Sequence, residues 1–401
     1  MDSFPHTPHL LLVGARSEVI GKLVGLPLAV SVIQKPGRDS EFERSVALRT
    51  ASVDFTDPDA LLATAREIHD WRRVDAVLSL TEPALYPASV VGEALGVRVN
   101  PVATVGMALD KSTMRRRLAD RGLDTTAFRV CTSLDEAREL VADCPAGVVL
   151  KPVNGNAGTG VSLVRDPADL AAAWEWTTSK AKGSAVLAEE YLLGREISVE
   201  TLSAAGEHRV LAVTGKYTYG PPHFAETGHD LPAPLPPEEH AAACSVVLGA
   251  LDAIGQTWGP CHTEVIIRAG RAIIVEINTR VGGDRIWEMV EIATGVNLAA
   301  AAAAALAYGE LPSADAVPRG AAAVRFLTPP PGRIASISGV EEALAVDGVI
   351  RVGDLFKIGD VVGRLTDSWD RAGYVLAAGS DVEAAAGAAE EAAGLVTIMT
   401  E

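Results

Sequence analysis

The segment that most constrains this chain is residues 264–280, which read EVIIRAGRAIIVEINTR. Two runs rich in Val and Ile on either side of Ala-Gly predict a β-hairpin. Because side chains alternate between the two faces of a strand, Glu276 and Asn278 project from the same side. The hairpin would bring Glu264 beside them. Two carboxylates and one amide oxygen on a single face predict a site for a hard cation.

Oxygen ligands of this kind suit Mg²⁺, which takes one or two protein carboxylates and leaves its other positions to water and phosphates. The three side chains therefore indicate a nucleotide phosphate. The alternative is that acidic residues on a strand form its solvated face. Against this, Ile273–Val275 and Ile277 make the strand almost continuously apolar. Polar groups in such a strand are costly unless something pairs with them.

The composition limits the classes of protein. With 401 residues, 48% of them hydrophobic, the chain is long enough for two or three domains. Its net charge of −17 argues against a nucleic-acid or anionic-membrane partner, since both bind basic surfaces. The start of the chain has no basic segment before its short apolar run, so no signal peptide is predicted.

The cysteine pattern predicts neither disulfides nor zinc. None of the four cysteines forms a C-x-x-C pair, and a cytoplasmic location is the simplest expectation. They are Cys131, Cys144, Cys244 and Cys261.

The order of apolar runs predicts an α/β and α+β multidomain protein. Residues 1–105 alternate strands and helices, including strands near 9–14, 29–33, 75–80 and 96–101, which predicts a parallel α/β domain. No G-x-G-x-x-G follows the first strand, so a dinucleotide fingerprint is absent. Residues 106–315 form a second region that begins with a helix over 105–121. Residues 316–401 are predicted to be a separate β-rich α+β domain.

A glycine-rich loop follows an apolar strand that ends in lysine. The loop, residues 154–160, contains Gly155, Gly158 and Gly160. Glycine lets a backbone approach an anion closely and point its amides inward, so the loop resembles a cover over phosphates. Lys151 precedes it, and Lys111 is a second cation that could reach the phosphates. Either lysine could instead be a solvated surface residue.

The connector EEYLLGRE, residues 189–196, follows another predicted strand. Its backbone groups could hydrogen-bond an adenine edge, and Glu196 could accept hydrogen bonds from ribose hydroxyls. An ordinary acidic loop is the alternative.

Taken in order, these motifs resemble the ATP-grasp superfamily of carboxylate-amine ligases over roughly residues 106–310. The resemblance implies the ATP-grasp fold behind a Rossmann-like (preATP-grasp) N-terminal domain. It also implies ATP as the nucleotide and Mg²⁺, or alternatively Mn²⁺, as the metal. The implied nucleotide residues are Lys111, Lys151, Gly155, Gly158, Gly160, Glu189, Glu190, Leu192 and Glu196. The implied metal ligands are Glu264, Glu276 and Asn278.

Within the superfamily the chain is most similar to L-amino acid ligases, which form dipeptides. The similarity rests on HFAETGHDLPAPL at 223–235, on EINTRVGGD at 276–284 and on the appended C-terminal domain. It implies phosphorylation of a substrate carboxylate by ATP, followed by attack of an amine, with Lys151 and Arg280 as catalytic residues. Arg280 would clamp the acyl phosphate, because its planar fork suits carboxylate and phosphate oxygens.

Substrate binding is expected at five residues, namely Glu226, His229, Arg280, Gly282 and Gly283. Glu226 and His229 are predicted on a long Pro-rich loop, where they would bind the substrate amino group, form a lid or simply lie at the surface. Gly282 and Gly283 would open a helix whose N-terminus could hold a carboxylate. Asp284 is expected to be the N-cap of that helix.

Two alternative functions stay open at this stage. One is an ATP-grasp enzyme of another branch, such as a nucleotide-biosynthesis or carboxylating ligase. The other is a nucleotide-binding regulator without turnover, which the full set of metal ligands, lysines and Arg280 disfavours. The expected partners are small-molecule amino acid or amine substrates, with a homodimer as a further expectation from relatives.

Overall fold

The N-terminal part is a parallel α/β layer, as predicted. The computed structural model describes residues 7–312 and 319–401, so the predicted boundary between 315 and 316 lies outside the described residues. Four parallel strands pair in the order β3-β2-β1-β4. The strands are β1 (His9–Val13), β2 (Ala29–Gln34), β3 (Arg49–Ser52) and β4 (Ala76–Leu78). The helices are α1 (Ser17–Gly21), α2 (Glu41–Val46), α3 (Pro58–Trp71) and α4 (Glu82–Leu95).

Two local predictions for this region were wrong. The strand predicted near 96–101 forms only one isolated bridge, between Ala76 and Arg98. Its valines pack against helix α4 instead, where Val99 lies over Gly92. The helix predicted over 105–121 is two helices, α5 (Val102–Leu109) and α6 (Lys111–Asp120). Asp110 separates them, because its side chain accepts hydrogen bonds from two amides of the first turn of α6 and so acts as an N-cap.

A small antiparallel sheet carries the glycine-rich loop. Its strands pair in the order β5-β8-β6-β7, and the loop connects β6 to β7. The elements are β5 (Phe128–Cys131), α7 (Leu134–Asp143), β6 (Val148–Pro152), β7 (Ser162–Val164), α8 (Leu170–Lys180) and β8 (Val186–Glu190).

A sheet of eight strands forms the centre of the molecule, in the order β13-β12-β9-β10-β11-β14-β18-β16. The elements up to residue 308 are β9 (Arg195–Ala204), β10 (Glu207–Thr218), β11 (Glu226–Leu231), α9 (Pro237–Ile254), β12 (Gly259–Arg268), β13 (Arg271–Asn278), α10 (Ile286–Thr294) and α11 (Leu298–Tyr308). The later elements are β14 (Ala321–Phe326), β15 (Gly332–Ser338), α12 (Val340–Leu344), β16 (Val349–Gly353), β17 (Val361–Val362), β18 (Tyr374–Gly379), α13 (Val382–Leu395) and β19 (Thr397–Thr400).

Strand β11 lies where the sequence predicts a long loop, so the placement of Glu226 and His229 on a loop was wrong. Its polar sequence, ETGHDL, gave no apolar alternation to reveal a strand. The strand pairs with β10 on one side and with β14 on the other. It therefore joins the central sheet to strands of the C-terminal part.

Among the described residues no single helix is long and apolar enough to cross a membrane, although the bent pair α10–α11 passes a test of length and composition alone. Helix α11, the alanine-rich run, is mostly buried in the core.

Candidate functional site

One cavity of about 1410 Å³ opens between the N-terminal layer, the glycine loop, the central sheet and the C-terminal part. Every predicted site residue lines it except Gly160. Gly160, the last residue of the loop, has φ +79° and faces away from the cavity. A Cβ at this position would meet Lys180 and Pro152 at 2.9 and 3.0 Å. Its glycine is therefore required for packing of the loop.

The hairpin predicted from the sequence is confirmed. Strands β12 and β13 turn through Ala269 and Gly270, both with positive φ, as a two-residue hairpin turn requires. Glu264 stands directly opposite Glu276, and Asn278 lies two residues further along the same face. The structure thus brings the three predicted metal ligands together at the cavity.

Lys216 is a central residue of this site that the sequence reasoning missed. Its ammonium lies 2.5 Å from Glu264, 3.1 Å from Glu196 and 3.6 Å from Glu226. Burial would lower the pKa of Lys216, but the three carboxylates outweigh it and hold that pKa above its usual range. Burial likewise opposes ionisation of Glu264, yet Lys216 and His262 hold the Glu264 pKa well below its usual range.

A histidine and a second glutamate stand behind Glu264. His262 Nδ1 lies 2.7 Å from Glu200, and His262 Nε2 lies 3.5 Å from Glu264. Burial lowers the pKa of His262, but Glu200 and Glu264 outweigh burial and raise it to about 9. The charged ring lies between the two carboxylates and fixes the orientation of Glu264. Residues that contact metal ligands commonly orient them in this way.

The donor set fits a magnesium ion. Both carboxylates open into the cavity, with side chains 19% and 20% exposed for Glu264 and Glu276. Among the described residues, only Oε1 of each has a lysine contact, which leaves Oε2 without a protein partner. The side chain of Asn278 also has no hydrogen bond within that part of the chain. Oxygen donors with free positions are what Mg²⁺ requires.

Lys111 joins the glycine loop to the metal face, the side of the β12–β13 hairpin that carries Glu264, Glu276 and Asn278. Its ammonium lies 3.2 Å from Glu276 Oε1 and donates a 2.5 Å hydrogen bond to the carbonyl of Gly155. The side chain is only 7% exposed, so the alternative of a solvated surface lysine was wrong. This position places a cation at the end of the loop that faces the carboxylates.

Lys151 pairs with Glu189, and the same carboxylate accepts from the buried guanidinium of Arg115. Burial raises the pKa of Glu189, but Arg115 and Lys151 outweigh it and lower that pKa to about 2. Arg115 also pairs with Asp124 at 2.6 Å. Glu189 is 4% exposed, so its carboxylate holds the sheet together behind the cavity.

The connector after β8 keeps the predicted order of elements. The amide of Glu190 donates to Ala127 O and that of Tyr191 to Gly147 O, so both amides are used by the fold. Leu192 is buried at the cavity, and Glu196 lies beside Lys216. Binding of adenine by Glu189, Glu190 and Leu192, and of ribose by Glu196, stays a prediction.

Arg280 crosses from the metal strand to the N-terminal layer. It donates to Glu82 Oε2 from Nε at 3.2 Å and from Nη2 at 2.8 Å. Asn156 of the glycine loop donates to the other oxygen of Glu82 at 3.0 Å. Glu82, which the sequence reasoning did not single out, thus connects the predicted acyl-phosphate clamp to the phosphate cover.

Asp284 is not the N-cap of helix α10. The helix begins at Ile286 with Arg285 as the N-cap residue, and no side-chain cap bond forms. Arg371 instead grips Asp284 with both Nη atoms, at 2.9 and 2.5 Å. Gly282 lies against the His262 ring, where a Cβ would approach Nδ1 to 2.9 Å. Gly283 has open space around it, on the cavity wall.

Strand β11 presents both of its predicted substrate residues to the cavity. His229 is fully buried with Nε2 3.6 Å from Asp284, and neither ring nitrogen has a hydrogen bond among the described residues. Its ring meets Phe326 edge-on at 5.7 Å between centroids. Glu226 accepts a 2.5 Å hydrogen bond from Ser368 Oγ of the C-terminal part.

Comparison with known proteins assigns all three parts of the chain. Residues 25–97 match the ATP-grasp N-terminal domain, residues 144–288 the ATP-grasp domain and residues 325–401 the L-amino acid ligase C-terminal domain 2. The chain therefore belongs to the ATP-grasp ligases, ATP-dependent enzymes that join a carboxylate to an amine. In fold it is similar to an L-amino acid ligase from Bacillus licheniformis, with a TM-score of 0.84 over 99% of this chain and 100% of that one at 24% identity.

Two curated relatives belong to different branches. A D-alanine–D-alanine ligase of Acidiphilium cryptum is 34% identical over 45% of this chain, and the match spans 60% of that ligase. A formate-dependent phosphoribosylglycinamide formyltransferase of Nitratidesulfovibrio vulgaris is 27% identical over 98% of this chain and 97% of the relative.

Proposed function

We propose that this protein activates the carboxylate of an L-amino acid as an acyl phosphate and couples it to an amine, in the first place a second amino acid, with release of ADP and phosphate. The observation that carries the proposal concerns residues 325–401, the part that matches the L-amino acid ligase C-terminal domain 2. This part supplies Ser368, Trp369 and Arg371 to the wall of the same cavity as the metal face.

The first step is phosphoryl transfer. A carboxylate oxygen of the substrate attacks the γ-phosphorus of ATP, the bond from that phosphorus to the bridging oxygen breaks, and ADP leaves. Such transfer depends on positioning and on neutralising charge. Lys111 and Lys151, with amides of the glycine loop, would hold the phosphates. Arg280 would release Glu82 and bind the acyl phosphate instead.

Glu264, Glu276 and Asn278 would hold Mg²⁺, which when bound offsets phosphate charge during transfer. Lys216 is the buried cation next to these ligands, so it keeps Glu264 ionised and oriented. His262 acts on the same carboxylate from behind. The chain's own cations thus favour the ionised form of the Glu264 carboxylate at this site.

The second step forms the amide. The amine nitrogen attacks the acyl carbon, loses a proton, and the carbon–oxygen bond to phosphate breaks. His229 and Glu226 lie on the adjoining strand, and neither ring nitrogen of His229 accepts or donates a hydrogen bond among the described residues, although Nε2 lies 3.6 Å from Asp284. We propose that they bind the amino group of the first amino acid, one of the roles that the sequence left open for them.

A second candidate is an amine substrate that carries a phosphate. The relative from Nitratidesulfovibrio vulgaris matches nearly the whole chain. The N-terminal wall of the cavity also presents three cations, Arg16, Lys35 and Arg38, of which both arginines lack a salt bridge among the described residues. This alternative retains the ATP-grasp chemistry but changes the second substrate.

The test is to measure ADP release with Mg²⁺ and single amino acids, pairs of amino acids, and formate with phosphorylated amines, with products identified by mass. Amide formation from a pair of amino acids is the expected result. Product from formate and a phosphorylated amine alone would favour the second candidate. Nucleotide binding without substrate-dependent ADP release would indicate a regulator. The cytoplasmic location and the homodimer stay predictions.

A further inference from the structure

A short turn of the C-terminal part contacts three separate elements of the site. The turn, residues 366–371, lies about two hundred residues after the glycine loop and contains a 3₁₀ helix at Ser368–Asp370. We define it as the C-terminal turn. Its side chains reach the glycine loop, strand β11 and the segment after β13.

Two hydrogen bonds join the C-terminal turn to the glycine loop. Thr159 Oγ1 donates to Asp367 Oδ2 at 3.1 Å, and the amide of Ser368 donates to the carbonyl of Ala157 at 3.1 Å. Ala157 has φ +52°, a conformation unfavourable for a residue with a side chain. The contact from Ser368 therefore stabilises a loop conformation that the loop itself disfavours.

Of the other two contacts, one reaches Glu226, proposed above to bind the acyl substrate, and one reaches Asp284, which lies beside His229. Ser368 Oγ donates to Glu226, and Arg371 grips Asp284 with both Nη atoms. Asp284 in turn lies 3.6 Å from His229. One rigid element thus touches the phosphate cover and the acyl side of the cavity.

The C-terminal turn is rigid because it satisfies its own polar groups. Asp370 accepts from the amide and hydroxyl of Thr366 at 2.8 Å each, and from the amide of Asp367 at 3.2 Å. Asp367 Oδ1 accepts from the amide of Trp369 at 3.0 Å.

Asp367 is 8% exposed and forms no salt bridge within the described residues. A buried carboxylate without a cation is costly, so its bond to Thr159 is favoured strongly over an open arrangement.

We propose that Asp367 and Ser368 are positioning residues that latch the glycine loop closed over the nucleotide and couple this closure to the acyl-substrate side. The proposal that the loop is latched requires only that the protein binds a nucleotide. The proposed coupling to the acyl substrate rests on the function proposed above. Closure then excludes water while the acyl phosphate forms, and an open loop would allow ATP to be hydrolysed without amide formation.

The first test measures the loop directly. Hydrogen exchange of peptides covering residues 155–160 is followed with Mg²⁺ and a non-hydrolysable ATP analogue in the full-length protein. The variants are Asp367→Asn and Thr159→Val, which keep the shape of each side chain, and the control is Asp347→Asn, an exposed aspartate of the same part. Loss of one charge-assisted hydrogen bond should speed loop exchange about tenfold in both variants. Equal exchange in wild type, both variants and control would overturn the latch, whether or not the protein is active as a ligase.

The second test separates the two sides of the latch. In Asp367→Asn, KM for ATP should rise about fivefold or more, and more ADP than amide should form. In Ser368→Ala, with exposed Ser336→Ala as control, the KM rise should fall mainly on the acyl substrate. A uniform drop in kcat with unchanged KM values and a one-to-one ratio of ADP to amide would assign both residues a merely structural role. Absence of amide from wild type would reject the proposed function but leave the exchange result standing.

Discussion

Two clusters of buried charge meet at this cavity, and their balance of charge differs. The first cluster holds Arg115 and Lys151 against Glu189 and Asp124, two cations with two carboxylates. The second has two cations with four carboxylates: Lys216 and His262 against Glu196, Glu200, Glu226 and Glu264. A balanced cluster is satisfied by the protein alone. An excess of carboxylates that open into a cavity attracts an external cation. The second cluster is therefore the one whose charges favour binding of a metal ion.

The strongest test removes Glu276, the predicted metal ligand that lies directly opposite Glu264 of the second cluster. Glu276→Ala should reduce amino-acid-dependent ADP release roughly a thousandfold, a loss typical of removing one electrostatic group from the transition state. The unfolding transition should stay within about 1 kcal/mol of wild type, because this side chain is open to the cavity. Steady-state rates and urea unfolding check both, with exposed Glu67→Ala as control. Near-normal turnover would exclude the assigned metal site.

Breaking the first cluster should instead act on stability. Arg115→Leu leaves two buried carboxylates, Glu189 and Asp124, with one cation fewer, and removal of one partner from a buried ion pair costs about 3–5 kcal/mol. Urea unfolding measures the loss, and Arg116→Leu, at the exposed neighbouring position, is the matched control. An equal small effect at both positions would show that the first cluster is not structural.

Low pH should also reveal the structural role of the first cluster. Glu189 has its pKa lowered to about 2 from a usual value of 4.5, so its ion pairs add stability that is present above pH 4.5 and lost as the pH falls towards 2. This one group accounts for about 3 kcal/mol of that loss. Glu189→Gln should start less stable and lose correspondingly less between pH 4.5 and 2. Parallel curves of unfolding free energy for both proteins would contradict the assignment.

The smallest expected effect concerns the group behind the metal face. His262→Gln retains a hydrogen-bonding side chain but loses the charge that the raised pKa gives it near neutral pH. The Mg²⁺ concentration for half-maximal activity should rise about tenfold, with less change in maximal rate. A magnesium titration of activity measures this, and exposed His240→Gln is the control. An unchanged magnesium requirement would mean that His262 only fills the core.

The sequence predicted best where function follows from local chain geometry. The hairpin that carries Glu264, Glu276 and Asn278 depends on alternation and on a turn of two residues. The glycine loop after Lys151 depends likewise on adjacent residues. Strand β11 was missed because its polar residues are stabilised by neighbouring strands, β10 and β14, and give no pattern of their own.

Lys216 could not be identified from its surroundings in the sequence, since a lysine on a strand is ordinarily solvated. The signal that would have found it is the cross-strand pairing of β10 with β11, which sets Lys216 opposite His229. That pairing follows from the whole sheet and not from the strand itself.

The amino-acid sequence by itself determined the hairpin face, the glycine cover and the class of chemistry, because each depends on backbone preferences over about ten residues. Only the tertiary structure decided which charges meet. Thr159 and Asp367 are separated by 208 positions, and Asp284 and Arg371 by 87. Contacts of that range arise because the central sheet continues through β14 into the C-terminal part. No local propensity encodes such a meeting, since its stability depends on burial that exists only after the sheet has formed.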